Sequence, residues 1–192
     1  MNNAPKRGVL FVYSGPSGVG KGTLKERLFS EFPGKIAFSV SATTRAKRPG
    51  EIDGEDYFFI SRQEFEARAA NNEFLEFAEY AGNLYGTPRA YVDNLLEQGV
   101  SVLLEIEVKG ALQVMEKEPE CVSVFVLPPS FEELERRLRG RGTETEEKIV
   151  ERLNTARREL VLSERYNYRI VNGELDAAYA ALREVFMRET QA

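Results

Sequence analysis

An α/β fold, a parallel sheet covered by helices on both faces, is the class this sequence predicts. Three observations carry that expectation. Apolar, β-branched runs alternate with helix-like segments, and strands that alternate with helices pair in parallel. A glycine-rich segment, 15–23, joins the first strand-like run to the first helix-like one. Between residues 38 and about 88 the rhythm breaks into short strands, so this block reads as an insertion into the core.

In chain order, residues 9–13 are the first apolar strand, and 23–32 the first helix, with Leu24, Leu28 and Phe32 on one face. A strand at 36–40 leads to a polar loop at 41–50, where Pro49-Gly50 marks a turn. Asp53-Gly54 marks another turn, before a strand at 57–60. Ser61 and Glu64 form a capping-box pattern for a helix to about Ala70. Residues 74–80 alternate and read as a strand, which Gly82-Asn83 turns towards Leu84-Tyr85-Gly86. Then come a helix at 88–98, a buried strand at 100–106, a helix at 108–117 and a strand at 122–127. Ser130 and Glu133 cap a helix that Gly140-Arg141-Gly142-Thr143 breaks. A long charged helix runs to about Arg165, followed by a short strand at 168–171 and a helix at 175–187. Ligands in such sheets lie beyond the carboxyl ends of the strands. That puts the glycine loop, Glu105, Glu107 and the segment after Leu127 on one rim.

Composition narrows the chemistry. The chain has 192 residues, 42% apolar and 30% charged, with a net charge of −5. An acidic balance argues against binding a nucleic acid polymer. The longest apolar runs are strand-sized, so no membrane span is expected. Residues 1–7 are short and polar, so no secretory signal is expected either, and a cytoplasmic location is the expectation. Cys121 is the only cysteine and reads as a small core residue. There is no histidine, which excludes Ser-His-Asp and Cys-His chemistry and histidine metal sites. A reaction driven by positioning and charge neutralisation remains open, and phosphoryl transfer is one.

The glycine loop is the strongest chemical signal. Gly15-Pro16-Ser17-Gly18-Val19-Gly20-Lys21-Gly22-Thr23 has the strand–loop–helix context in which backbone N–H groups and a helix N-terminus cradle phosphates. Lys21 is placed to reach the β- and γ-phosphates. The residue after it is Gly22 rather than a hydroxyl, which comes one place later at Thr23. A second anion site is suggested by Ser39, Ser41, Thr43, Thr44, Arg45 and Arg48, because arginine pairs with phosphate oxygens and hydroxyls add donors. Tyr57 and Tyr85 could add phenolic donors. By itself this segment reads equally well as a solvated basic loop. Glu76, in the apolar run Phe74-Leu75-Glu76-Phe77, reads locally as an outward-facing strand residue. Glu105 and Glu107 lie two apart at a strand end and point to the same side. Arginines crowd the last third of the chain, and local glutamates account for several.

These stretches resemble the guanylate kinases over nearly the whole chain. The resemblance rests on the glycine loop, Ser39-Val40-Ser41-Ala42-Thr43-Thr44-Arg45, Arg48-Pro49-Gly50-Glu51, Asp56-Tyr57, Phe74-Leu75-Glu76, Tyr85-Gly86-Thr87 and Gly140-Arg141-Gly142-Thr143-Glu144-Thr145. It implies a phosphate-loop α/β core with a small mixed GMP-binding insertion and a helical lid. The implied layout is core at 1–37, insertion at 38–88, core at 89–135, lid at 136–156 and core at 157–192, one domain overall. The implied activity is transfer of the ATP γ-phosphoryl group to GMP, and to dGMP, with Mg²⁺. Arg45, Arg48, Tyr57 and Tyr85 would grip the GMP phosphate. Glu76 would accept from guanine N1–H and the 2-amino group, with Ser41 and Thr87 completing recognition of the base. Lys21, Arg45, Arg137, Arg141 and Arg152 would act in catalysis. Residues 15–23 would hold ATP, and Asn172 is expected near adenine. Glu105 and Glu107 would orient GMP or, with Thr23, order Mg²⁺ through water. The family commonly has Asp where Glu107 stands. Two alternatives accompany this expectation, a catalytically inactive guanylate kinase-like binding module and a phosphate-loop kinase of another small phosphate ester. Oligomeric state is left open.

Overall fold

The structure, a computed structural model, describes residues 6–140 and 145–191. The chain orders as β1 (Leu10–Ser14), α1 (Lys21–Glu31), β2 (Ile36–Phe38), β3 (Ala42–Thr43), β4 (Phe58–Phe59), α2 (Arg62–Ala70), β5 (Phe74–Tyr80) and β6 (Asn83–Pro88). It continues as α3 (Arg89–Glu97), β7 (Ser101–Glu105), α4 (Val108–Lys117), β8 (Val122–Leu127), α5 (Phe131–Gly140), α6 (Glu146–Leu162), β9 (Tyr168–Val171) and α7 (Leu175–Thr190). Both expected capping boxes form on their donor side: Glu64 N donates to Ser61 Oγ at 3.1 Å, and Glu133 N to Ser130 Oγ at 3.1 Å.

Five strands form one parallel sheet in the order β2-β7-β1-β8-β9. The side-chain period of two sorts its residues onto opposite faces. Phe11, Tyr13, Leu103, Val122, Val124 and Val126 pack with α1, α5, α6 and α7. Leu10, Val12, Val102, Leu104 and Phe125 pack with α3 and α4 on the other face. The α/β class read from the sequence is therefore the fold observed.

A second sheet, ordered β4-β3-β6-β5, is mixed. Its strands all come from residues 42–88, and α2 seals it through a small core of Ala42, Phe65, Phe74 and Leu84. β5 corrects one expectation. Its residues do not alternate: Phe74, Leu75 and Glu76 are buried in succession, and the next four are exposed. The register slips between Phe74↔Pro88 and Phe77↔Gly86, one extra residue on β5. A bulge of this kind reverses the inside–outside parity of a strand. It leaves Glu76 with Leu75 on the α4 side, buried where its local pattern read as outward-facing.

Candidate active site

The half of the candidate site expected to hold the ATP phosphates is built at the carboxyl end of β1. Gly15 and Gly20 have φ of 151° and 92°, backbone states that side chains rarely adopt. Space requires glycine there as well. A Cβ on Gly15 would stand 2.5 Å from Val126 O, and one on Gly20 2.5 Å from Asn172 Nδ2. Lys21 opens α1, and its Nζ donates to Gly15 O at 2.5 Å and Pro16 O at 3.2 Å. Burial lowers the pKa of this ammonium, against the pull of Glu105, Glu159 and Glu107. Tyr13, fully buried beneath, donates to Lys21 O at 3.3 Å. Position 22 is uncrowded, since a Cβ on Gly22 would meet nothing within 4 Å. Thr23 is exposed.

Three distant side chains brace the loop. Asn172 is 6% exposed, and its Nδ2 donates to Val19 O at 2.8 Å. Arg137 Nη1 reaches the same carbonyl at 3.4 Å, while its Nε is held by Glu133 at 2.7 Å. Arg152 Nη1 donates to Ser17 Oγ at 2.6 Å. Both arginines thus lie against the glycine loop. Arg141 falls outside the described residues. Gly15, Ser17, Lys21, Glu105, Glu107, Arg152 and Glu159 line one cleft of about 690 Å³, with Tyr80 of the second sheet also on its wall.

The half expected to hold the GMP phosphate and base is made of side chains. Arg48-Pro49-Gly50-Glu51 forms a tight turn, closed by Glu51 N donating to Arg48 O at 3.2 Å, with Gly50 at φ 90°. Proline followed by glycine at positive φ is the type II pattern. The turn returns Glu51 to Arg45, whose two terminal nitrogens bind its carboxylate at 2.7 and 3.0 Å. Those bonds, with one from the Arg48 N–H, hold the Glu51 carboxyl down to about 2. The Arg45 guanidinium lies 5.4 Å from the Tyr57 ring, and Tyr57 meets Tyr85 edge-on at 6.0 Å. Ser41 is half-buried beside them in sequence, its carbonyl accepting from Phe58 N at 2.9 Å. Arg48 is exposed.

Glu76 is 7% exposed, and Thr87 Oγ1 donates to its Oε1 at 2.7 Å. Burial raises its pKa, opposed by the Thr87 bonds. The sequence brings Glu76 and Thr87 together through pairing of β5 with β6. Glu105 and Glu107 line the same cleft with different neighbours. Glu105 ends β7 and is bound by Lys25 at 2.5 Å, whereas Glu107 is the N-terminal cap residue of α4 and is exposed. Lys21 and Glu76 both lie within reach of the charge of Glu107.

Sequence reasoning passed over Glu51, Glu159, Lys25, Tyr13 and Gly110. Only Glu51 carried a local signal, the Pro-Gly turn that aims it at Arg45. Glu159 lies on α6 and is half-buried, and burial raises its carboxyl while Lys21 opposes the shift.

Residues 7–189 match the family model described as guanylate kinase. The chain belongs to the guanylate kinase family. A guanylate kinase of Streptococcus thermophilus is 54% identical over 184 residues, 96% of this chain and 88% of that one. One from Streptococcus agalactiae is 50% identical over the same shares. The crystal structure of guanylate kinase from Anaplasma phagocytophilum superposes with a TM-score of 0.71 at 36% identity, covering 98% of this chain and 89% of that one. The family resemblance drawn from the loops and from Glu76 is thus borne out, and so is the fold class of the guanylate kinases. Among the described residues, no helix is long and apolar enough to cross a membrane.

Proposed function

We propose that this chain is an ATP:GMP phosphotransferase, converting ATP and GMP to ADP and GDP, with dGMP as a second acceptor. Such an activity serves purine nucleotide metabolism and the recycling of GMP. The observation that carries the proposal is the buried Glu76–Thr87 pair beside the Arg45–Tyr57–Tyr85 cluster. Guanine offers two adjacent donors, N1–H and the 2-amino group, and one carboxylate accepts both. Adenine offers no such pair and leaves a buried carboxylate unmatched, a mismatch worth roughly 10⁴–10⁵-fold in discrimination.

In this reading the glycine loop, residues 15–23, holds the ATP phosphates, and Asn172 serves the adenine end by bracing that loop. Arg45, Arg48, Tyr57 and Tyr85 hold the GMP phosphate, and Ser41 with Thr87 completes the base contact. An oxygen of that phosphate attacks the γ-phosphorus in line, the bond to the β-phosphate oxygen breaks, and ADP leaves. The nucleophile is already anionic, so no general base is required. Lys21, Arg137, Arg141 and Arg152 spread their charge over the transferring group, and Arg45 does the same from the acceptor side. The insertion spans 38–88 and the lid 136–156, with core at 1–37, 89–135 and 157–192. Closing both excludes water. A cytoplasmic location belongs to the same reading, because both nucleotides are cytoplasmic metabolites.

The residues present fit Mg²⁺ carried by ATP. Among the described residues, no group of three or more acidic, cysteine or histidine side chains could cage an ion. Mg²⁺ characteristically keeps several waters and binds through substrate phosphates with one or two carboxylates. Thr23, Glu105 and Glu107 would hold it through water, and when bound it supplies charge neutralisation on the phosphates. The binding-module alternative is not favoured: Lys21, the full glycine loop, Arg45, Arg48, Arg137 and Arg152 are all retained. A coupled assay offering ATP with GMP, dGMP, AMP, UMP or CMP, with and without Mg²⁺, tests the proposal. Turnover should require Mg²⁺ and a guanine acceptor. A preference for any other acceptor would end it.

A further inference from the structure

We infer that Gly110, in the first turn of α4, is a positioning residue that fixes where the Glu76 carboxylate stands, and so how strictly the acceptor base is read. The inference rests on the reading of Glu76 as the guanine acceptor and extends it to a residue that touches no substrate.

Two contacts define the carboxylate. Thr87 Oγ1 donates to Oε1 at 2.7 Å and anchors one oxygen. The other oxygen lies against the buried α4 backbone. A Cβ on Gly110 would stand 2.9 Å from Glu76 Oε2, 3.4 Å from its Cδ and 3.5 Å from its Cγ. These three nearest atoms all belong to Glu76. The glycine conformation is ordinary helix, so its backbone does not demand glycine. What the missing side chain provides is room for Oε2. With a methyl group there, the carboxylate must turn about its Thr87 anchor, because the end of a long side chain yields before a helix backbone does.

A turned carboxylate cannot meet two guanine donors at once, although it can still meet one. The effect is therefore largest on the acceptor that uses both. Inosine monophosphate differs from GMP only in lacking the 2-amino group, and it isolates the second contact. Gly110 thereby acts on base selection while leaving the donor half untouched.

The test is kcat/KM for GMP and for inosine monophosphate at saturating ATP, in the parent protein, Gly110→Ala, Glu76→Ala and the double variant, with melting temperatures for all four. Gly110→Ala should fold, since alanine is the better helix former, and should leave KM for ATP unchanged. Its preference for GMP over inosine monophosphate should fall by about 10-fold or more. In the Glu76→Ala background the same change should do nothing further, because coupled residues are non-additive. An unchanged preference in Gly110→Ala, alongside a lost one in Glu76→Ala, would overturn the inference and spare the Glu76 reading. An unchanged preference in Glu76→Ala would remove both. If Gly110→Ala does not fold, the double variant decides. Folding there supports the contact with Glu76, and failure there makes the glycine a packing requirement and overturns the proposal.

Discussion

The two halves of the site are built on different principles. The half proposed to hold ATP is backbone: a loop in which Gly15 and Gly20 take conformations and spaces closed to other residues, seated between β1 and α1. The half proposed to hold GMP is side chain: Glu76, Tyr85 and Thr87 on β5 and β6, with Arg45 and Tyr57 on segments next to the two-residue strands β3 and β4. A backbone site depends on a few glycines and on the helix behind it. A side-chain site depends on register, because one slipped residue sends every side chain to the wrong face. The bulge in β5 is such a slip, used to advantage.

Four substitutions or conditions separate the halves. Lys21→Ala should have the largest effect, lowering kcat by about 10³-fold or more, since charge stabilisation dominates phosphoryl transfer. GMP binding measured by calorimetry should hardly change. Equal losses in both would mean that the halves are not independent. Glu76→Gln should raise KM for GMP about 100-fold, the scale of a charged hydrogen bond, and leave KM for ATP alone. A raised KM for ATP would show the two halves to be coupled through the core. Asn172→Ala removes a buried donor from Val19 O and should lower stability by about 1–3 kcal/mol, read from denaturant unfolding, and raise KM for ATP more than KM for GMP. The reverse order of KM effects would place Asn172 in the acceptor half.

The smallest effect is on pH. The Glu76 carboxyl is raised by burial, whereas guanine donors favour its anion. GMP binding therefore releases a proton below the raised pKa. KM for GMP should fall as pH rises from about 4.5 through that pKa, then level off. Glu76→Gln should flatten this part of the profile, leaving only the titration of the GMP phosphate. The sign for folding is opposite to that of a salt-bridged acid. With its folded pKa above the unfolded value, Glu76 favours the fold most at low pH, and that contribution fades as pH rises through the folded pKa.

The sequence made the donor half legible because its parts are neighbours: strand, loop, lysine and helix lie within residues 10–31. The alternating core strands were legible for the same reason. What escaped depends on contacts across the chain. Asn172 is expected near adenine, and the contact it makes is with Val19, 153 residues away. Nothing near Gly110 announces that its missing Cβ lies against Glu76. The inward turn of Glu76 escaped because a bulge adds one residue without changing the residue types around it. The role proposed for it comes from family resemblance rather than from its local pattern, which pointed outward. Glu105 and Glu107, expected on one side, both line the cleft beside Lys21.

The same bulge has a mechanical side. Leu75 is buried with α3 and α4 in the core, Lys117 of α4 donates to Phe74 O at 3.3 Å, and Glu76 follows immediately. The carboxylate proposed to read the base is thus fastened to α4 of the core through its two preceding neighbours. A swing of the proposed insertion about that attachment would displace Glu76 least.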